Sequence, residues 1–168
     1  MAFAFLSLMA LLPLGMQNNA VSIEQTHAVG TISMLEADLR YTHPAYTDPG
    51  RDIRAGESAI YGLPLPYEFA VQGDSGSMEV NGAIREGQVY SVGITDNGEL
   101  VDIADGVRTR YQISVTYTNV PNAVNGEPVE ALLTVSWPSQ GVSATSEDLI
   151  DPRKVDGYVE GFVSFPTP

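Results

Sequence analysis

The chain reads as an α+β protein in which a long N-terminal α-helix lays its C-terminal half on an antiparallel β-sheet. Three observations carry this. Residues 2–16 form an uncharged apolar run that passes into a helical pattern ending near Leu39, with no Lys or Arg before Arg40. From Tyr67 onward the hydrophobic period changes to two, the signature of half-buried strands. Between the two regimes lies a stretch dense in Pro and Gly that few regular elements survive. The chain therefore divides into a helix over 1–40, a connecting loop over 41–66 and an antiparallel β domain over 67–168.

Within the helix, Val21, Ala28, Ile32, Leu35 and Leu39 fall on one face of a 3.6-residue period and form the predicted core stripe. Glu24, Gln25, Thr31 and Asp38 fall largely on other faces and are expected to meet solvent or neighbours. A helix that is apolar all round at one end and one-sided at the other buries its first half among other helices or in lipid. Pro13 lacks an N–H and crowds the carbonyl four residues earlier, so it either kinks or melts the helix near Met9 or begins it at a first turn. Residues 2–16 are too short for a complete membrane span, which takes about 20 residues. With a complete span set aside on length, the segment reads as a secretory signal cut after Ala20 or as a helix whose start lies upstream of Met1, the last being favoured.

Residues 42–66 carry His43-Pro44, Asp48-Pro49-Gly50, Gly56, Gly62, Pro64 and Pro66, and an ordered loop is expected there. Tyr41, Tyr46 and Tyr61 are placed to pin it by burying their rings. Strands are predicted around Tyr67, Phe69 and Val71, around Met78 and Val80, and around Tyr90, Val92 and Ile94. Further strands follow at Tyr111 to Thr118, Glu130 to Trp137 and Tyr158 to Phe165. Tyr111, Ile113, Val115 and Tyr117 alternate with Gln112, Ser114, Thr116 and Thr118, so the strands read together as one sheet with one wet face. Gly73-Asp74-Ser75-Gly76, Asp96-Asn97-Gly98 and Asn125-Gly126 supply the turn chemistry.

Composition narrows function. Eight Lys+Arg against 21 Asp+Glu give a formal charge of -13, whose field repels phosphate backbones and argues against nucleic-acid binding. There is no cysteine, which removes disulfides, thiolate metal sites and Cys nucleophiles. Gln72-Gly73-Asp74-Ser75-Gly76 resembles the nucleophile surroundings of chymotrypsin-like proteases, but only His27 and His43 precede Ser75 and the chain is too short for two barrels. Gly56-Glu57-Ser58-Ala59-Ile60 ends in Ile60 where a nucleophile elbow wants Gly, and reads as a loop. No enzyme and no cofactor is implied. Asp96, Asn97, Glu99, Asp102 and Asp105 offer oxygen ligands to Ca²⁺ at a spacing unlike an EF-hand, against the alternative of a solvated acidic hairpin. Glu24 and His27 form a Glu-x-x-His pair without the second helix a di-iron site needs, and are read as surface or subunit contacts.

Leu11-Leu12-Pro13-Leu14-Gly15-Met16, Val21-Ser22-Ile23-Glu24-Gln25-Thr26 and Leu35-Glu36-Ala37-Asp38-Leu39-Arg40 resemble the helix of type IV pilins and pseudopilins, and within that group the prepilin-type proteins called Verru_Chthon cassette protein B. Leu133-Thr134-Val135-Ser136-Trp137-Pro138 and Gly157-Tyr158-Val159-Glu160-Gly161-Phe162 resemble that family's final strands. The prepilin-peptidase site, a Gly before an aromatic residue, and the acidic residue that follows it are not visible, and Phe5 is not that Glu. On this resemblance Met1 corresponds to a point inside the family's hydrophobic segment.

The resemblance implies a pilin-like fold and a structural role. Subunits would stack Phe3, Phe5, Leu6, Leu8, Met9, Leu11 and Leu12 into a central bundle, with a kink near Pro13 adjusting helix tilt. The partners would be copies of this chain or related pilin subunits, in a cell-surface filament or an envelope pseudopilus, with the inner membrane holding the segment before assembly. The alternative is a secreted β-domain that loses residues through Ala20 and binds a ligand with its Tyr-rich loop and acidic hairpins.

Overall fold

The computed structural model describes residues 2–41, 56–72, 75–80, 84–103, 109–120, 128–139 and 154–165; side chains are described in the helix from Met16 onward, Gln17 excepted, and not in the 67–80 hairpin or at Phe165. Over the described residues the protein is α+β, with one helix and a five-stranded antiparallel sheet. Helix α1 runs over Ala2–Tyr41 and is followed by β1 (Tyr67–Gln72), β2 (Ser75–Val80), β3 (Val89–Ile94), β4 (Leu100–Val101), β5 (Tyr111–Asn119), β6 (Val129–Trp137) and β7 (Gly157–Phe165). The main sheet has the order β4-β3-β5-β6-β7, and β1 and β2 pair separately as a two-stranded sheet. That corrects the expectation of a single sheet. Alternation in sequence shows that a segment is a strand, while which strand it pairs with depends on contacts distant in the chain.

One face of the main sheet carries the core. Tyr90, Ile113, Val115, Tyr117, Val129, Ala131, Leu133, Val135 and Val163 are buried there with Ala28, Leu35 and Leu39 of α1. The register aligns Val92, Ile113, Val135 and Val159 across four strands, so the β-branched side chains form one continuous row. The helix lies over β6 and β7. Gly161 of β7 leaves the space it needs, since a Cβ there would sit 2.9 Å from the Ile32 Cγ2. Of the predicted stripe, Ala28, Leu35 and Leu39 are buried and Ile32 is partly so, but Val21 is exposed. Val21 shares their angular position, and its exposure shows that the sheet no longer covers the helix this near its start. Pro13 falls inside the helix range, not at a first turn.

The opposite face is not wet at its centre. Ser91, Gln112, Ser114, Thr116, Thr134 and Ser136 are all buried, which corrects the one-wet-face expectation. Their polar groups are partly satisfied among themselves: the Ser91 and Ser114 hydroxyls lie 2.9 Å apart, Gln112 Nε2 donates to Ser91 Oγ, and Ser139 donates to Gln112 Oε1. Alternation reads polarity, and small polar side chains are compatible with burial when they find such partners. Toward β7 this face does open to solvent, at Tyr158, Glu160 and Phe162.

Within the connection, residues 42–55 lie outside the described region, Tyr46 among them. Residues 56–66 form the ordered loop the sequence leads one to expect. Ser58 N donates to Leu63 O at 2.7 Å, Glu57 and Pro64 form an isolated bridge, and Gly56 and Gly62 take φ of 90° and 64° that a side chain would strain. Tyr61 is buried as expected, whereas Tyr41 is 81% exposed and pins nothing among the described residues. The Asp96-Asn97-Gly98 turn closes β3 onto β4, with Gly98 at φ 83°. Asn125-Gly126 lies outside the described residues.

Candidate functional site

The residues the sequence singles out for assembly, Phe3, Phe5, Leu6, Leu8, Met9, Leu11, Leu12 and Pro13, all fall within α1, and their side chains lie outside the described set. What is described is the helix surface that continues them. Met16 and residues 18–23 are exposed, and the first charged residue of the chain is Glu24. At about 1.5 Å per residue, α1 measures roughly 60 Å, and the buried positions from Ala28 to Leu39 occupy less than a third of it. Further along, Met16, Ile23, Gly30, Met34 and Tyr41 recur at spacings of seven, seven, four and seven on the side opposite the core stripe, and all are exposed. Thr26, Thr31 and Ser33 turn their hydroxyls back to the carbonyls four residues earlier, so the exposed surface carries few free donors.

Two polar clamps fix the helix to the rest of the chain. At its first sheet contact, Glu24 accepts hydrogen bonds from the Arg110 guanidinium and the Tyr111 hydroxyl, and the Arg110 cation sits 5.4 Å from the centre of the Tyr111 ring. Burial opposes the charge on Glu24, but the Arg110 and Tyr111 hydrogen bonds outweigh it and hold its pKa below the usual carboxylate range. The same contact raises Arg110, chiefly through the Glu24 hydrogen bond. Burial and then the Glu24 hydrogen bond push Tyr111 up to about 12. Glu24 is thus an intrachain tie, and its two oxygens are engaged by Arg110 and Tyr111.

At the other end of the helix, Asp38 is buried instead of facing outward. Its carboxyl oxygens accept from Ile60 N at 3.1 Å and from Tyr61 N at 3.2 Å, satisfying two donors of the turn. Burial, followed by the proximity of Asp38, raises the Tyr61 pKa. Tyr117, buried beside Tyr90, donates its hydroxyl to Pro64 O at 2.8 Å and is raised by burial in the same way. No motif marks Asp38 or Arg110 in sequence. The only legible signal for Asp38 is its place between Leu35 and Leu39, close enough to the core stripe to be covered by whatever follows the helix.

The remaining candidates are dispersed. Asp96, Asn97, Glu99 and Asp102 are exposed along the β3–β4 hairpin and Asp105 lies outside the described residues. Among the described residues no group of three or more His, Asp or Glu could hold a metal ion, so Asp96, Glu99 and Asp102 do not form one by themselves. Ser75 stands on β2 opposite Gln72, and His43 lies outside the described residues. Ser58 is buried and its hydroxyl accepts from Leu63 N at 3.1 Å, which gives it a place in loop closure. Among the described residues no helix is long and apolar enough to cross a membrane. Set against protein families, curated proteins and solved structures, the chain matches none of them.

Proposed function

We propose that this chain is a pilin-like structural subunit that assembles through its N-terminal helix into an extracellular filament of type IV pilus kind or into a secretion pseudopilus. The observation that carries the reading is the division of α1: its C-terminal half is tied to the sheet at Glu24, Leu35 and Leu39 and to the 56–66 loop at Asp38, while the uncharged surface before Glu24 is exposed wherever it is described. An uncharged rod on a subunit of charge -13 is where copies approach with least repulsion and most apolar area to bury. Repetition of such a contact between non-equivalent surfaces builds an open helical array. The inner membrane would shelter the same residues before assembly.

Leu8→Asp and Leu12→Asp test it. Filaments are expected to disappear from sheared surface material under the electron microscope, while the β domain keeps its thermal midpoint. Filaments persisting in either variant would refute the proposal. A second reading, a secreted binding domain cut after Ala20, is favoured by one observation: the first described contact of the helix with the sheet is at Glu24, so cleavage there would spare it. Mass spectrometry of the mature N-terminus separates the two, because retention of residues 3–14 supports assembly and a start at Val21 supports secretion.

A further inference from the structure

Strand β7 stands last in the order of the main sheet and pairs with β6 along all of its length. In an antiparallel ladder successive residues direct their N–H and C=O groups to alternate sides. Trp137, opposite Gly157, accepts at its carbonyl from Asp156 N at 2.8 Å and so addresses β7. The same alternation follows from the far side of the sheet, where Ile94 O accepts from Arg110 N and the registers Ile94↔Tyr111, Gln112↔Ser136 and Val135↔Val159 carry the direction across. Gly157, Val159, Gly161 and Val163 therefore turn their main-chain groups to β6. Tyr158, Glu160, Phe162 and Ser164 turn theirs away from the sheet.

This row is accessible. Tyr158 is 46% and Phe162 60% exposed, and Glu160 and Ser164 are exposed beside them. Gly157 and Gly161 have no side chain, so their partial exposure is exposure of the main chain itself, whereas Gly93 on β3 is buried. Glu160 is the one charged residue of the strand. On the other face of the sheet, α1 lies over β6 and β7 with Ile32 on Gly161. Glu24 and Asp38 reach from it toward β5 and the 56–66 loop, so the opposite flank of the helix, with Ser22, Val29, Ser33 and the Glu36–Arg40 ion pair, faces outward beyond β7. Val29 is exposed there.

We infer that two copies of the chain join antiparallel through β7, about a two-fold axis at Gly161, into one continuous sheet. Other registers are worse. Setting Glu160 against Glu160 of the second copy opposes like charges, and setting Phe162 against Phe162 brings Tyr158 opposite Pro166, which has no N–H to give. Centred on Gly161, the whole outward row is used: Tyr158 meets Ser164 and Glu160 meets Phe162, each twice, with main-chain hydrogen bonds exchanged at every pair. The two Phe162 rings lie on the diagonal, within reach of each other. Strands lie about 4.8 Å apart, so helices seated over β6 and β7 of each copy stand about 10 Å apart across the axis, the separation of packed helices. Val29 and Ser33 meet their counterparts there, and the Glu36–Arg40 pair brings no net charge. A second copy thus covers the strand edge, the exposed aromatic rings and the helix flank in one self-complementary contact. The inference stands apart from the filament proposal, since it uses none of residues 3–12.

The test uses the full chain carrying Leu8→Asp, which removes association through the apolar segment. Sedimentation velocity over a dilution series is expected to show a monomer–dimer equilibrium. Phe162→Glu should raise the dissociation constant by about tenfold or more, because two rings lose their cover and like charges stand opposite each other twice. Phe162 is exposed in the single chain, so the far-UV circular dichroism of the variant should match that of its parent. Adding Glu160→Lys to Phe162→Glu should restore the dimer, since the facing charges are then of unlike sign. The chain has no cysteine, so introduced thiols report the register. Tyr158→Cys mixed with Ser164→Cys should be joined by a short thiol-reactive cross-linker, and neither variant should be joined to itself. A chain that stays monomeric, a dimer that Phe162→Glu leaves intact, a charge swap that restores nothing, or cross-linking of either cysteine variant to itself would each overturn the inference. Filaments answer to Leu8→Asp and the dimer to Phe162→Glu, so the two readings fail separately.

Discussion

Replacing Asp38 with alanine removes a side chain that joins the end of the helix to the 56–66 loop. Two main-chain donors lose their acceptor: Tyr61 N, which is buried, and Ile60 N, which is partly buried. A hydrogen bond to a charged acceptor contributes about 1.5–3 kcal/mol, and a buried donor left without one costs about 1–3 kcal/mol. Water can reach Ile60 N but not Tyr61 N, so the expected loss for Asp38→Ala is about 2–4 kcal/mol. Asn keeps one carbonyl oxygen, and Asp38→Asn should lose only about 1–2 kcal/mol. Against a typical domain stability of about 5–15 kcal/mol this is a large fraction. With a urea dependence of about 2 kcal/mol per molar, the middle of the range for small proteins, the midpoint of Asp38→Ala should fall by about 1–2 M. Hydrogen exchange should accelerate first at the Tyr61 and Leu63 amides, before the β5 and β6 amides change. An Asp38→Ala protein within about 0.5 kcal/mol of wild type, the range of an ordinary surface change, would refute the reasoning. So would an Asn variant as damaged as the Ala variant, because that would mean the oxygen acceptor is not what matters.

A Cβ on Gly157 would sit 2.4 Å from Cζ2 of Trp137, so Gly157→Ala must displace the indole and should cost about 1–3 kcal/mol; since Trp137 is the chain's single tryptophan, its fluorescence should shift to the red together with the lowered urea midpoint. Gly161→Val should loosen α1 from β7 through the 2.9 Å approach to Ile32 Cγ2, seen as faster exchange of the amides around Ala28 and Ile32. The Glu24 tie is pH-dependent with a defined sign. Its folded pKa lies below the ordinary 4.5, so its contribution is present above that value and is lost as pH falls through the folded pKa. Tyr111 is raised from 10.0 to about 12, so the stability its neutral form contributes is present below pH 10 and is lost as pH rises toward 12. Thermal midpoints of wild type and Glu24→Gln, measured from pH 7 down to pH 3, should converge in acid, and a constant difference would contradict this assignment.

The elements themselves were legible in the amino-acid sequence. The 3.6-residue stripe at Ala28, Ile32, Leu35 and Leu39, the two-residue alternation of Tyr111 to Tyr117, and the Gly98 turn are local patterns, and backbone periodicity converts them directly into helix, strand and hairpin. The uncharged stretch before Glu24 was equally plain, because it needs no partner to be recognised. Tertiary structure alone decided what lies against what. It separated β1 and β2 from the main sheet, buried Gln112, Ser114 and Ser136 on a face whose polarity promised water, and drew Asp38 under a loop more than twenty residues away. It also stopped β4 after two residues, paired only with Gly93 and Ile94. The physical reason is common to all four. A side chain's period along the chain fixes which way it points, whereas its solvent exposure and hydrogen-bond partners depend on segments that arrive from elsewhere, and no local pattern encodes their arrival.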